Sequence, residues 1–255
     1  MFIFVVFCSK KLIGAIKMVD IIIPLGIGSK NNNDELRLFF RSLEKNGTGY
    51  RNIILVATKK PDWVNNVTVL ELDDPCEHNK DGNIIRKVLY ALNNVSDLTE
   101  NFVWTSDDCV VLKEFDFNSI PPIYNVRGKN SFSEQGNIWQ RRVRRTFEFF
   151  EKRNLFLEHN YESHTPQRFP KQKTIEALKD VDFIGDIGYS IDTLFFGLLN
   201  ESGGFDQRLF KNTIESDENK NPTLDKSLLG YNDKGFKVLK SKLFEMFPNK
   251  SKYEK

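Results

Sequence analysis

Residues 101–112 read Asn-Phe-Val-Trp-Thr-Ser-Asp-Asp-Cys-Val-Val-Leu, so that two apolar runs flank the adjacent carboxylates Asp107 and Asp108. Short apolar runs bounded by turn residues are typical of buried strands. The stretch therefore predicts a strand, an acidic turn and a second strand, with both carboxylates at the end of a buried strand. Two carboxylates held side by side repel each other unless a cation or a proton lies between them.

The acidic pair predicts a site for a divalent metal ion, Mg²⁺ or Mn²⁺, with Ca²⁺ as a third candidate. Carboxylate oxygens suit these hard cations, and Mg²⁺ is usually shared with substrate phosphates. An enzyme that acts on a nucleotide sugar is the leading interpretation. The alternative is a solvated Asp-Asp turn without a ligand, because short acidic pairs are common in proteins.

Strand and helix patterns alternate before the acidic pair. We expect strands at 20–25, 52–58, 67–72 and 103–104, and helices at 35–45 and 84–92, the first capped by Asn33 or Asp34. This order predicts an α/β sandwich with a mostly parallel sheet. Because ligands in such folds bind beyond the carboxyl ends of the strands, the turn from Gly26 to Gly28 and the acidic pair are expected at one edge.

The second half of the chain has a different character. Residues 121–179 are polar, aromatic and basic, with a predicted helix at 137–153, and we interpret them as an inserted acceptor or lid region. From residue 182 onward the chain is expected to be α-rich, ending in an amphipathic helix at 234–247. The prediction is a single transferase domain over residues 18–255.

Composition sets the broad class. The chain has 255 residues, of which 40% are hydrophobic, enough for one large α/β domain. A net charge of +2 gives no electrostatic argument for nucleic acid or a membrane surface, and we expect no nucleic-acid partner. Cys8, Cys76 and Cys109 are odd in number and widely spaced, which argues against a disulfide framework or a zinc site and favours the cytoplasm.

The first 17 residues are ambiguous. The apolar run at 1–8 is too short to span a bilayer, and Lys10 and Lys11 follow it, whereas a signal peptide carries its positive charges first. We expect residues 1–17 to be a mis-assigned extension before a start at Met18. A peripheral membrane anchor is the alternative, and no stable membrane insertion is expected.

Further polar residues are candidates for chemistry. His164 lies in a predicted loop, and an imidazole titrates near neutral pH as a general base requires, although such a histidine is more often structural. Asn83 and Arg86 open a predicted helix, and helix N-termini with nearby cations favour anions. The basic run at 141–145 either binds an anionic acceptor or forms a solvated helix face.

Several segments of this chain resemble conserved blocks of the Stealth proteins and follow one another in the order of those blocks. The Stealth proteins are sugar-phosphate transferases that include bacterial capsular polysaccharide phosphotransferases and the animal N-acetylglucosamine-1-phosphotransferase. The second block is similar to residues 33–37, 41–45, 53–58, 61–63 and 106–108, the third to 164–166, and the fourth to 231–233 and 247–254. In the first block, residues 20–28 keep the strand but carry Ile27 where the family has a polar residue, which is closer to a generic glycosyltransferase opening.

The resemblance implies a GT-A-like nucleotide-sugar transferase with an α-rich acceptor region. It implies transfer of a sugar 1-phosphate from a nucleotide-diphosphate sugar to a glycan acceptor hydroxyl, in capsule or surface-glycan synthesis. Asp107, Asp108 and Asp233 would hold the metal ion, and His164 and Asp108 would be catalytic. The expected substrate-binding residues are Gly26, Gly28, Asn33, Asp34, Arg37, Asn83, Arg86, Arg168 and Asn232. Two alternatives stay open: a GT-A-like glycosyltransferase that releases a nucleoside diphosphate, and a nucleotide- or carbohydrate-binding protein that has lost catalysis.

Overall fold

The computed structural model describes residues 18–27, 29, 31–216 and 222–255, so the extension predicted at 1–17 lies outside the described residues. Over these described ranges the chain forms twelve strands and six α-helices. The strands are β1 Val19–Leu25, β2 Gly47–Thr48, β3 Tyr50–Ala57, β4 Thr68–Glu71, β5 Asn101–Trp104, β6 Cys109–Val111, β7 Phe115–Asp116, β8 Ile123–Tyr124, β9 Gln167–Pro170, β10 Phe205–Asp206, β11 Lys211–Ile214 and β12 Leu228–Tyr231. The helices are α1 Asp34–Asn46, α2 Lys80–Asn94, α3 Ile138–Glu151, α4 Lys171–Leu178, α5 Ile191–Leu198 and α6 Asp233–Met246.

The central sheet has the strand order β4-β3-β1-β5-β9. The first four strands are parallel, and β9 pairs antiparallel with β5 at one edge. All seven residues of β1 are buried, as expected for a strand covered on both faces. The prediction of an α/β fold with a mostly parallel central sheet is confirmed.

The two faces of the sheet are covered by different helices. Side chains alternate along a strand, so Ile21 and Ile23 of β1 pack on one face with Leu36 and Phe39 of α1. Ile22 points to the other face, in the cluster that contains α2 and α5. The alternation within β1 therefore places α1 and α2 on opposite sides of the sheet.

The start of α1 differs from the prediction. Asn33 has a left-handed backbone with φ of 56°, and its side chain makes no capping hydrogen bond. Asp34 lies inside the helix, so neither residue caps it in the predicted way. Glu35 instead fixes the preceding turn, accepting hydrogen bonds from the Ser29 hydroxyl at 3.1 Å and the Asn31 amide at 2.6 Å.

A second, three-stranded sheet has the order β11-β12-β6, with β6 leading out of the acidic turn and pairing antiparallel with β12. The prediction that the chain is α-rich beyond residue 182 is therefore wrong in part, since β10, β11 and β12 lie there beside α5 and α6. All four residues of β12 are buried, and periodicity does not distinguish so short an apolar run from a helix segment.

The region 121–179 contains α3, which matches the predicted helix closely, and also supplies β9 to the central sheet. In the described part of the chain, the helices are all too short or too polar to cross a membrane.

Candidate functional site

A cavity of about 430 Å³ lies at the carboxyl ends of the parallel strands. Its wall includes Pro24 near the end of β1, Trp104 at the end of β5, and Tyr231 at the end of β12. The first turns of α2 and α6 and one face of α3 complete the wall. This is the position in which open α/β sheets bind their ligands.

Asp107 and Asp108 occupy the turn between β5 and β6, and both line the cavity. The Ser106 hydroxyl donates a hydrogen bond to Asp108. Burial and, second, the negative charge of Asp108 raise the pKa of Asp107 to about 7. The turn therefore concentrates negative charge that a proton or a cation would neutralise.

The donor set of the acidic turn fits a hard divalent cation. Among the described residues, no group of three or more His, Cys, Asp or Glu side chains is placed to hold a metal ion. Asp107 and Asp108 offer a site with two carboxylates, which matches Mg²⁺ when water and substrate phosphates supply the other ligands. Asp233 lines the same cavity but does not complete a group of three with the pair.

His164 precedes β9 and lines the same cavity as the acidic turn. Its backbone is in the left-handed region with φ of 49°, and the buried Lys211 ammonium donates to the carbonyl oxygens of Ser163 and His164. The side chain is open to the cavity, but the surrounding protein displaces part of the water around the ring, and this desolvation lowers the pKa of the imidazole. The positive charge of Lys211 lowers it further. A neutral imidazole at pH 7 is able to accept a proton from a hydroxyl group.

Asp81, Arg142 and Glu162 of the cavity wall belong to a buried polar network that the sequence did not predict. Arg142 of α3 contacts Asp81 of α2, with Nη1 and Oδ1 2.6 Å apart. Glu162 accepts a hydrogen bond from the Asp192 amide at 3.1 Å, and Asp192 accepts one from the Trp104 indole at 2.7 Å. Only the basic run at 141–145 signalled this network, and sequence does not reveal that Arg142 pairs with a residue 61 positions away.

Three carboxyl groups in this network are buried, and of the three Asp81 contacts the Arg142 guanidinium directly. Burial is the main reason that the pKa values of Asp81, Glu162 and Asp192 all lie above their ordinary values, and that of Glu162 is about 7. The Arg142 charge opposes the increase at Asp81. The network therefore retains protons at pH values where exposed carboxyl groups have lost them.

Three of the predicted substrate-binding residues line the cavity: Gly26, Asn83 and Asn232. A methyl group on Gly26 would meet no atom within 4 Å, so space is open there. The Asn83 amide makes two hydrogen bonds with the backbone of Cys76, at 3.1 and 2.8 Å. Asn232 caps α6 by accepting from the Lys234 and Gly235 amides. Both asparagine side chains thus hold the wall in shape.

The other predicted substrate-binding residues lie elsewhere. Arg37 contacts Glu254 at 3.3 Å, Arg86 donates to the Asp73 carbonyl at 2.6 Å, and Arg168 donates to the Asn118 carbonyl. Asp34 pairs with Lys240 at 2.7 Å. The cavity wall does not include Asn33, Asp34, Arg37, Arg86 or Arg168. Gly28 is outside the described residues.

No family model matches this chain, and no curated protein sequence matches it.

Proposed function

We propose that this protein is a metal-dependent transferase that moves a sugar 1-phosphate from a nucleotide-diphosphate sugar to a hydroxyl group of a glycan acceptor. The observation that carries the proposal is the convergence of Asp107, Asp108 and His164 on one cavity at the carboxyl edge of a parallel sheet. The resemblance to the Stealth transferases supports sugar-phosphate transfer and a GT-A-like fold. It also supports a role in capsule or surface-glycan synthesis. The three widely spaced cysteines favour the cytoplasm, and the apolar run at 1–8 leaves peripheral contact with the membrane as the alternative.

Asp107 and Asp108 would hold a divalent cation, which supplies positive charge to the diphosphate of the donor. His164 would take the proton of the acceptor hydroxyl as its oxygen attacks the phosphorus atom that carries the sugar. A new oxygen–phosphorus bond forms, and the bond from that phosphorus to the bridging oxygen of the nucleotide breaks. The nucleoside monophosphate leaves with the bonding electrons, while the sugar–oxygen bond remains intact.

A glycosyltransferase that releases a nucleoside diphosphate is the second candidate. It is favoured by Ile27, which stands where the Stealth proteins have a polar residue and lies exposed two residues after the end of β1. Such an enzyme would use the same acidic pair, because a metal ion would offset the negative charge of the nucleoside diphosphate that leaves.

The test is a screen of nucleotide-sugar donors with Mg²⁺ or Mn²⁺ and mixed glycan acceptors. We expect the wild-type protein to consume one donor and the double variant Asp107→Asn, Asp108→Asn to consume none. Circular dichroism and a thermal melt should show that this variant is folded, since both side chains are only partly buried and contact the open cavity. Equal consumption by both proteins, or binding of a donor without its consumption, would contradict the proposal.

A further inference from the structure

Lys80 differs from the other basic residues of the cavity wall. Lys87 contacts Asp74 at 2.6 Å, and Arg142 contacts Asp81 at the same distance, so both charges are neutralised by a direct partner. Lys80 is exposed to the cavity and makes no hydrogen bond or ion pair with the part of the chain that the structure describes. Its ammonium group therefore keeps its donors available to a ligand.

Lys80 also lines the same cavity as the acidic turn and His164. It is the first residue of α2, a helix of 15 residues, and it lies within electrostatic range of both Asp107 and His164. The positive end of the helix dipole adds to the charge of the ammonium group. An anion bound here would lie near both the acidic turn and the candidate general base.

Tyr231 supplies a second polar group without a partner. The residue is 6% exposed and lines the cavity, and its hydroxyl oxygen is buried and makes no hydrogen bond within the described ranges. It lies within electrostatic range of Asp107 and Asp108. A buried hydroxyl without a partner is unfavourable in the ligand-free protein, so an oxygen atom of a ligand would satisfy it.

We propose that Lys80 and the Tyr231 hydroxyl form a phosphate-binding site and donate hydrogen bonds to oxygen atoms of the substrate's diphosphate. An ammonium group provides three donors, and a phenol keeps its proton at neutral pH. The assignment of these oxygens to a nucleotide-diphosphate sugar rests on the proposed function. The phosphate-binding chemistry itself rests on the cavity and on the two groups that lack protein partners.

The probe is inorganic pyrophosphate, measured by isothermal titration calorimetry in the presence of Mg²⁺. Lys80→Gln should weaken binding roughly 10- to 100-fold, because a hydrogen bond to a charged group is lost. Lys80→Arg should restore most of the affinity, since the positive charge is retained. The matched control is Lys173→Gln, which removes an equal charge from an exposed position on α4 outside the cavity and should leave binding unchanged.

Tyr231→Phe tests the second donor. The ring stacks on Phe236, with centroids 5.0 Å apart, and this contact survives the substitution. We expect pyrophosphate binding to weaken roughly 3- to 10-fold, while the melting temperature of the ligand-free protein stays the same or rises. A lower melting temperature with unchanged pyrophosphate affinity would assign the hydroxyl to the fold and overturn its proposed role.

Failure of this proposal can be distinguished from failure of the proposed function. If wild-type protein does not bind pyrophosphate, or if Lys80→Gln binds it as tightly as wild type, Lys80 is not a phosphate-binding residue, whatever the donor screen gives. If pyrophosphate binds through Lys80 but no nucleotide sugar is consumed, the phosphate site stands and the transferase activity does not. Consumption of a donor should show the same loss in Lys80→Gln, mainly as a raised KM.

Discussion

Arg142→Gln removes the only guanidinium that directly balances Asp81 within the described cavity wall. Arg142 is 5% exposed and Asp81 8%, and their closest atoms are 2.6 Å apart. Arg142 also donates to the carbonyl oxygens of Ile187 at 2.7 Å and His78 at 3.2 Å. One side chain therefore connects α3 to the start of α2 and to the loop before α5.

The expected cost follows from the burial of this pair. Removal of one partner from a buried ion pair costs about 3–5 kcal/mol, because the remaining charge has neither water nor a counter-ion. Asp81 reduces this cost by binding a proton, since burial already raises its pKa. We therefore expect a loss of about 3 kcal/mol at pH 7. For a domain of this size, the melting temperature should fall by about 6–12 °C.

The assay is urea unfolding followed by circular dichroism, with the double variant Asp81→Asn, Arg142→Gln as the control. The double variant should lose less than the sum of the two single variants, by about 1 kcal/mol or more, because the two side chains interact directly. A loss below about 0.5 kcal/mol in Arg142→Gln, or additive single effects, would refute the reasoning, since such values are typical of exposed residues.

Three further predictions concern separate parts of the molecule. Glu162 has a pKa of about 7, so the stability it contributes is present below its ordinary pKa of 4.5 and is lost as the pH rises through 7. Between pH 5 and pH 8, the free energy of unfolding should therefore fall by about 1–3 kcal/mol less in Glu162→Gln than in wild type. Urea titrations at each pH measure it, and parallel curves of unfolding free energy against pH for the two proteins would contradict this. His164→Ala should lower the transfer rate roughly 10²- to 10⁴-fold with an unchanged thermal melt, whereas a rate near wild type would remove the imidazole from the mechanism. Glu254→Gln should cost about 2–3 kcal/mol in urea unfolding, because the Glu254 carboxylate accepts from Arg41 at 2.8 and 2.9 Å, and a change below about 0.5 kcal/mol would show that this contact is weak.

The central sheet could be predicted because its strands carry their own signal. β1 and most of β3 are continuous apolar runs, and turn or helix patterns separate them. The three-stranded sheet β11-β12-β6 could not be predicted in this way. Its strands β6 and β12 pair through Val110 and Leu229, which are far apart in the chain. Local periodicity carries no information about so distant a pairing.

The residues of the candidate site also differ in whether the local sequence reveals them. The acidic pair and His164 could be found by residue type and local context, and the structure brings them to one cavity. Lys80 and Tyr231 could not be found, because only the folded chain shows which polar groups lack a partner. Arg168 has the right chemistry for phosphate, but its guanidinium is directed to the Asn118 carbonyl.

The most direct test of the account is the identity of the nucleotide that the wild-type protein releases from a nucleotide-diphosphate sugar when an acceptor and Mg²⁺ are present. Mass spectrometry of the product mixture distinguishes the two outcomes in one experiment. We predict a nucleoside monophosphate, together with an acceptor that gains the sugar and one phosphate. A nucleoside diphosphate, with an acceptor that gains the sugar alone, would contradict sugar-phosphate transfer.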